Sequence, residues 1–180
     1  MATRDSTVPV DAEKGYNAQG PTTKLRLIDV VLRFLTFACT LSAFVVMISN
    51  LQSVRPFPGG PKFWAKYHYS DAFMWFVVAN GVAFSYALLT LLFMSFNKSP
   101  KILRGILMLD LLVAYMILSA ASAATAVAYI GKNGLSQTQW RPICGTFDRY
   151  CDHVLGSLVA CFFGWLSLTI IIIVGLHQRY

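Results

Sequence analysis

Charge is what this 180-residue chain has least of. Asp, Glu, Lys and Arg together make up 13% of it, against roughly a quarter in ordinary soluble domains. Glutamate is almost missing, with Glu13 the only one. The three histidines, His68, His153 and His177, are too scattered to gather a metal ion by spacing. No Cys-x-x-Cys, GxGxxG, GKS/T or HExxH occurs. These absences remove the usual acid–base, metal, nucleotide and thiol-redox sites, so no catalytic residue, cofactor or metal ligand is assigned and no enzyme activity is expected. Four long stretches also lack the polar face that a soluble bundle shows every third or fourth residue.

What fills those stretches is apolar, 56% of the chain. The runs extend over 25–51, 73–96, 102–130 and 154–176, each longer than the ~20 residues that cross about 30 Å of hydrocarbon. The fourth ends LSLTIIIIVGL, whose Ser167 and Thr169 hydroxyls can bond back to their own helix. The fold class is an all-α membrane protein, a four-transmembrane-helix bundle. Residues 1–24 are polar and read as a disordered tail, 25–180 as the membrane domain, and 52–72 and 131–153 as loops on one side. The first run is too long for a signal h-region and lacks a small-residue cleavage site behind it, so it is expected to stay as the first helix. Four crossings put both termini on one side. Arg4, Lys14, Lys24, Arg26, Lys98, Lys101, Arg104 and Arg179 flank that side; Arg55, Lys62, Lys66, Lys132, Arg141 and Arg149 flank the other. The balance, and the density around Asn97 to Lys101, favour cytoplasmic termini. The net charge of +7 is then explained by anionic inner-leaflet lipid, with the bilayer rather than nucleic acid as partner.

Two lone charges interrupt the runs, Arg33 in the first and Asp110 in the third. A charge inside a bilayer costs at least a few kcal/mol and marks a partner or a function. Arg33 lies roughly 10 Å and Asp110 roughly 12 Å along their helices from the inner side at 1.5 Å per residue, so they meet if helices one and three are neighbours. An Arg–Asp pair suits this depth because the planar guanidinium offers two parallel donors to one carboxylate. Snorkelling of Arg33 to headgroups and a transport or proton-relay role are the other readings of the same residues. Asp29 falls at the inner boundary, facing headgroups.

Small residues carry a second signal. Ser119 to Ala126 reads SAASAATA, with Ser119 and Ala123 four apart, and Gly156, Ala160 and Gly164 recur every four residues in the last run. Such stripes let membrane helices approach closely, within one bundle or between protomers. Asn80 in the second run reads as a buried polar group making an interhelix hydrogen bond. Cys39 and Cys161 lie in apolar runs as small hydrophobes. Cys144 and Cys151 share the second loop, as a disulfide worth about 2–3 kcal/mol by loop entropy if that loop is extracellular, or as two free thiols.

Several of these features together are familiar. Arg33 and Asp110, the pattern Trp140-x-x-Ile143-Cys144-x-x-Phe147-x-x-x-Cys151, the preceding SAASAATAVAYIGKNG, YSDAFMWFVVANGVAFSY in helix two and VMISNLQ closing helix one resemble the Casparian strip membrane domain protein-like family of land plants. The resemblance covers about residues 25 to 176, and these proteins look related to the four-helix MARVEL domains of animal junctions and vesicles. It implies a plasma-membrane protein with cytoplasmic termini that forms homo- and hetero-oligomers, with Arg33 and Asp110 as helix-pairing charges and Cys144–Cys151 as an extracellular clasp. Casparian members proper assemble an immobile platform that recruits enzymes for local lignin deposition, which makes extracellular wall-modifying enzymes the implied partners. Here the first loop reads SVRPFPGGPKFWAKYHY, basic and Pro/Gly-rich rather than acidic and aromatic, which favours a relative with another task. Claudins and tetraspanins fit less well, since no Cys-Cys-Gly occurs. The function expected is a self-associating scaffold, the alternative a small channel or transporter using Arg33 and Asp110. Trp64, Tyr67, Tyr69, Trp75 and Trp140 suit the outer interface as anchors.

Overall fold

Apolar runs of this length have few ways to satisfy their backbone in lipid, and helices are the one that needs no partner strand. The computed structural model describes residues 23–55, 60, 62–96 and 100–177. Among them, helices α1 (Thr23–Ser49), α2 (Asp71–Phe96), α3 (Pro100–Asn133) and α4 (Asp148–His177) are each long and apolar enough to cross a membrane. The expected tail falls almost wholly on residues 1–22, and the tight basic connection partly on 97–99, both outside the described residues. Helix α4 starts six residues before the fourth apolar run. Its first turns are amphipathic, with Tyr150 buried between exposed Asp148, Arg149, Asp152 and His153, so hydropathy alone hides them.

Each helix turns one narrow seam inward. The buried positions include Arg33, Thr36, Thr40, Ala43 and Met47 in α1 with Asn50 just beyond it, and Phe73, Phe76, Asn80, Ala83, Ala87 and Thr90 in α2. In α3 they include Asp110, Ile117, Ala121 and Ala124, and in α4 Tyr150, Val154, Ser157, Cys161, Gly164, Leu168 and Ile171. Steps of three and four alternate, the 3.5-residue repeat that keeps helices in register around a left-handed bundle. Helix α1 packs on α2 and α4, and α3 packs on the same two, so α1 and α3 stand on a diagonal. That corrects the condition set above: helices one and three are not neighbours, yet side chains from both reach the centre. Large apolar side chains such as Phe34, Val45, Leu89, Leu112, Phe163 and Ile173 point outward, as a lipid-facing surface requires.

Between α1 and α2 the chain forms a hairpin of β1 (Leu51–Val54) and β2 (Phe63–Lys66), antiparallel with Leu51 opposite Lys66 and Val54 opposite Phe63. Lys66 Nζ sits 5.6 Å above the Trp64 ring, a cation–π contact that holds β2's charged side chain. Trp64, Tyr69, Trp75 and Trp140 are exposed at this end of the bundle, while Tyr67 is half-buried. Beyond α3, the Gly131 carbonyl accepts from the N–H groups of Ile143 and Cys144, at 2.8 and 3.2 Å, folding the second loop back onto its helix. Gly134 makes that turn with φ +71°, and a Cβ there would stand 2.6 Å from the Trp140 carbonyl oxygen. Gly134→Ala is therefore expected to lose at least the ~1–2 kcal/mol of a left-handed L-residue, read as a lowered melting temperature in detergent.

Candidate functional site

The side chains that the sequence singled out converge at two levels of the bundle. At the level nearer the termini, Arg33 is 3% exposed and Asp110 0%. Arg33 Nη2 donates to Asp110 Oδ2 at 2.7 Å and Nη1 to Oδ1 at 3.0 Å, a bidentate pair across the diagonal. Nη1 also reaches Thr90 Oγ1 at 3.3 Å, and Nε reaches Asp29 Oδ2 at 3.4 Å one turn earlier on α1. Tyr86 Oη donates to Asp110 Oδ1 at 2.7 Å, with the Ile106 carbonyl 3.1 Å away as a further acceptor. Asp29, its side chain 22% exposed, faces the guanidinium rather than headgroups alone. The guanidinium turns inward, so it does not snorkel. Three helices are tied here, and α2 contributes Tyr86 and Thr90, which sequence reasoning passed over. A tyrosine and a threonine in an apolar helix carry no period or motif; only the expected depth of Asp110, one loop away from Tyr86 on the adjacent helix, could have pointed to them.

Elsewhere in the core the polar groups close on their own helices, save Asn80 Oδ1, which is buried without a hydrogen-bond partner. Thr36, Thr40, Thr90, Ser157 and Ser167 each bond a carbonyl of their own helix, at 2.8 to 3.1 Å. Asn80 was expected to bond across helices, but its Nδ2 donates to the Phe76 carbonyl of its own turn at 2.9 Å. A mid-helix carboxamide takes that acceptor because it lies one turn back on the same face. The Cys161 sulfur, on α4, lies beside the Asn80 carboxamide.

The small-residue positions divide. A Cβ on Gly164 would meet Thr40 Cγ2 at 3.1 Å and Cys39 Cβ at 3.3 Å, so α1 and α4 are in close contact there. At Gly156 nothing lies within 4 Å, and Ala160 is half-buried, so the three do not share one contact inside the bundle. Residues four apart drift by about 40° per step on a 100° helix, which carries Gly156 off the seam that Gly164 joins. On α3, Ser119 is exposed and Ala123 half-buried, whereas Ile117, Ala120, Ala121 and Ala124 fill the buried face.

At the loop end, Cys144 and Cys151 form a disulfide with Cα atoms 5.8 Å apart. The adjacent Tyr150 is gripped on both backbone groups: its N–H donates to Gln52 Oε1 at 2.7 Å, and its carbonyl accepts from Asn50 Nδ2 at 2.9 Å. Gln52 thus serves an amide in the first turn of α4 that no helical carbonyl reaches. Among the described residues, no group of three or more His, Cys, Asp or Glu is placed to hold a metal ion.

Comparison with known proteins agrees in one direction. The family description "Casparian strip membrane protein domain" matches residues 22–167. CASP-like protein 1U1 of Marchantia polymorpha is 52% identical over 172 residues, covering 93% of this chain and 91% of its own. CASP-like protein 1C3 of Populus trichocarpa is 37% identical, covering 86% of each chain. CASP-like protein 1C2 of Arabidopsis thaliana is 34% identical, covering 85% of this chain and 90% of its own. No solved structure matches the chain.

Proposed function

Because the chain belongs to the Casparian strip membrane protein family and is a multi-pass membrane protein with four spanning helices, we propose that it is a structural scaffold of the plasma membrane. It self-associates into homo- or hetero-oligomers and organises a membrane domain or recruits cell-wall-modifying partners. The observation that carries this reading is the polar core, in which, among the described residues, Asn80 Oδ1 is the one buried side-chain polar atom without a hydrogen-bond partner. Arg33 and Asp110 satisfy each other directly, and the core hydroxyls satisfy carbonyls of their own helices. A conducting path needs polar groups left open to water along one face, whereas this core supports a packed strut. The disulfide on the loop side supports an oxidising exterior there and cytoplasmic termini on the other side. The first loop, hairpin included, would serve as a recognition surface and the second loop as part of the outer face.

Photobleaching recovery with subunit counting of a tagged copy in a plant plasma membrane tests the proposal. Slow recovery in multi-subunit clusters is the expected result. Freely diffusing monomers, or a solute flux that disappears in Arg33 variants reaching the surface normally, would overturn it in favour of transport.

A further inference from the structure

The loop end of the bundle joins segments about a hundred residues apart. Tyr150, 9% exposed, is pinned from the α1 side by Asn50 and Gln52. Its neighbour Cys151 is pinned from the loop side by the bond to Cys144, and the Cys151 N–H donates to the Phe147 carbonyl at 3.1 Å. Gln52 is at the same time the β1 residue opposite Ala65 on β2. One turn of helix therefore connects a covalent bond to the register of the hairpin. A two-stranded hairpin is marginal by itself and depends on such outside contacts. The seam between β1 and α4 is an open groove lined by Gln52, Ser53, Asp148, Arg149, Asp152 and His153, so water is at hand to replace the two hydrogen bonds once the turn loosens.

We propose that the Cys144–Cys151 disulfide and the β1–β2 hairpin form one redox-linked unit, in which a thiol reductant that opens the disulfide also unlocks the hairpin. Both cysteines are half-buried rather than sealed. With a small dithiol as reductant, one thiolate attacks one cysteine sulfur, the S–S bond breaks, and the departing cysteine leaves as a thiolate that takes a proton. The second thiol of the reductant then displaces the mixed disulfide, leaving two cysteine thiols and the reductant as its cyclic disulfide, two electrons having passed to the protein. Without the covalent tie, the first turn of α4 frays, Asn50 and Gln52 lose Tyr150, and β1 is released. Linkage is reciprocal, so weakening the grip on Tyr150 makes the disulfide easier to reduce.

The experiment uses the full chain in phosphatidylcholine nanodiscs, equilibrated in dithiothreitol buffers of graded ratio and followed by hydrogen–deuterium exchange. Reduction of the wild type should speed exchange of the amides of residues 51–54 and 63–66 about tenfold while those of residues 76–90 stay unchanged. Gln52→Ala should shift the disulfide equilibrium toward the dithiol about fivefold, the loss of one hydrogen bond of about 1 kcal/mol. Gln52→Glu, which keeps the acceptor, should track the wild type. Equal hairpin exchange in the oxidised and reduced wild type overturns the proposal without reference to any variant. So does a rise in α2 exchange alongside the hairpin, which would be general unfolding, or a Gln52→Glu that shifts the equilibrium as far as Gln52→Ala.

Discussion

Arg33→Ala and Asp110→Ala should each cost about 3–5 kcal/mol and keep most of the protein from the cell surface, because either leaves a buried charge without its bidentate partner, Arg33 keeping only the longer contact to Asp29 as counterion and Asp110 only the Tyr86 hydroxyl as donor. Replacing both charges with apolar residues of similar size, Arg33→Met with Asp110→Leu, should recover more than either single change, since no charge is then stranded. The swapped pair, Arg33→Asp with Asp110→Arg, should recover only part. Tyr86, which now donates to Asp110, would face a guanidinium with no lone pair, and Asp29 would face a second carboxylate one turn away on α1. Surface biotinylation together with melting curves in detergent separates these cases. Double variants no better than the worse single would rule out direct pairing. Single variants that fold and traffic normally would remove the structural role altogether.

The second large effect is a contrast within one helix. Gly164→Leu should destabilise the bundle by about 1–3 kcal/mol or more, because even the first added carbon lands 3.1 Å from Thr40 and 3.3 Å from Cys39 and must push α1 from α4. Gly156→Leu, eight residues earlier on α4, meets open space and should leave the melting temperature of the isolated protomer unchanged. Size-exclusion chromatography with light scattering in mild detergent adds a separate reading. A Gly156→Leu protein that melts normally but no longer self-associates would assign that glycine to contacts between copies. Equal melting temperatures for the two variants would contradict the close approach at Gly164.

How far the sequence could be read depended on whether each residue type carried a phase. Four spans and two anomalous charges stood out because a membrane makes polarity scarce, and scarce residues are informative. The helix-three stripe was harder: in SAASAATA every residue is small, so composition cannot say which side turns inward, and its buried members are Ala120, Ala121 and Ala124 rather than Ser119 and Ala123. Helix order around the bundle was also illegible, since any cyclic arrangement buries the same seams. The diagonal placement of α1 and α3 follows from packing. The hairpin escaped notice because LQSV and FWAK are short and separated by prolines and glycines. Asn50 and Gln52 fall within VMISNLQ with no charge or period to single them out. Their task, holding the backbone of Tyr150, involves a partner a hundred positions away that no local rule connects to them.

The diagonal pair also has a bearing on biosynthesis. Arg33 emerges from the ribosome with the first helix, but Asp110 follows 77 residues later on the third. At about 5–20 residues per second, that leaves an interval of roughly 4–15 s in which the guanidinium has only Asp29, one turn earlier on its own helix, as counterion. The bidentate pair, and with it the tie among three helices, can close only once the third helix has been made. A ribosome stalled between them would leave an intermediate whose arginine has the 3.4 Å contact to Asp29 as its only ion pair, and which lacks the 2.7 Å bond to Asp110 that joins the helices of every finished copy.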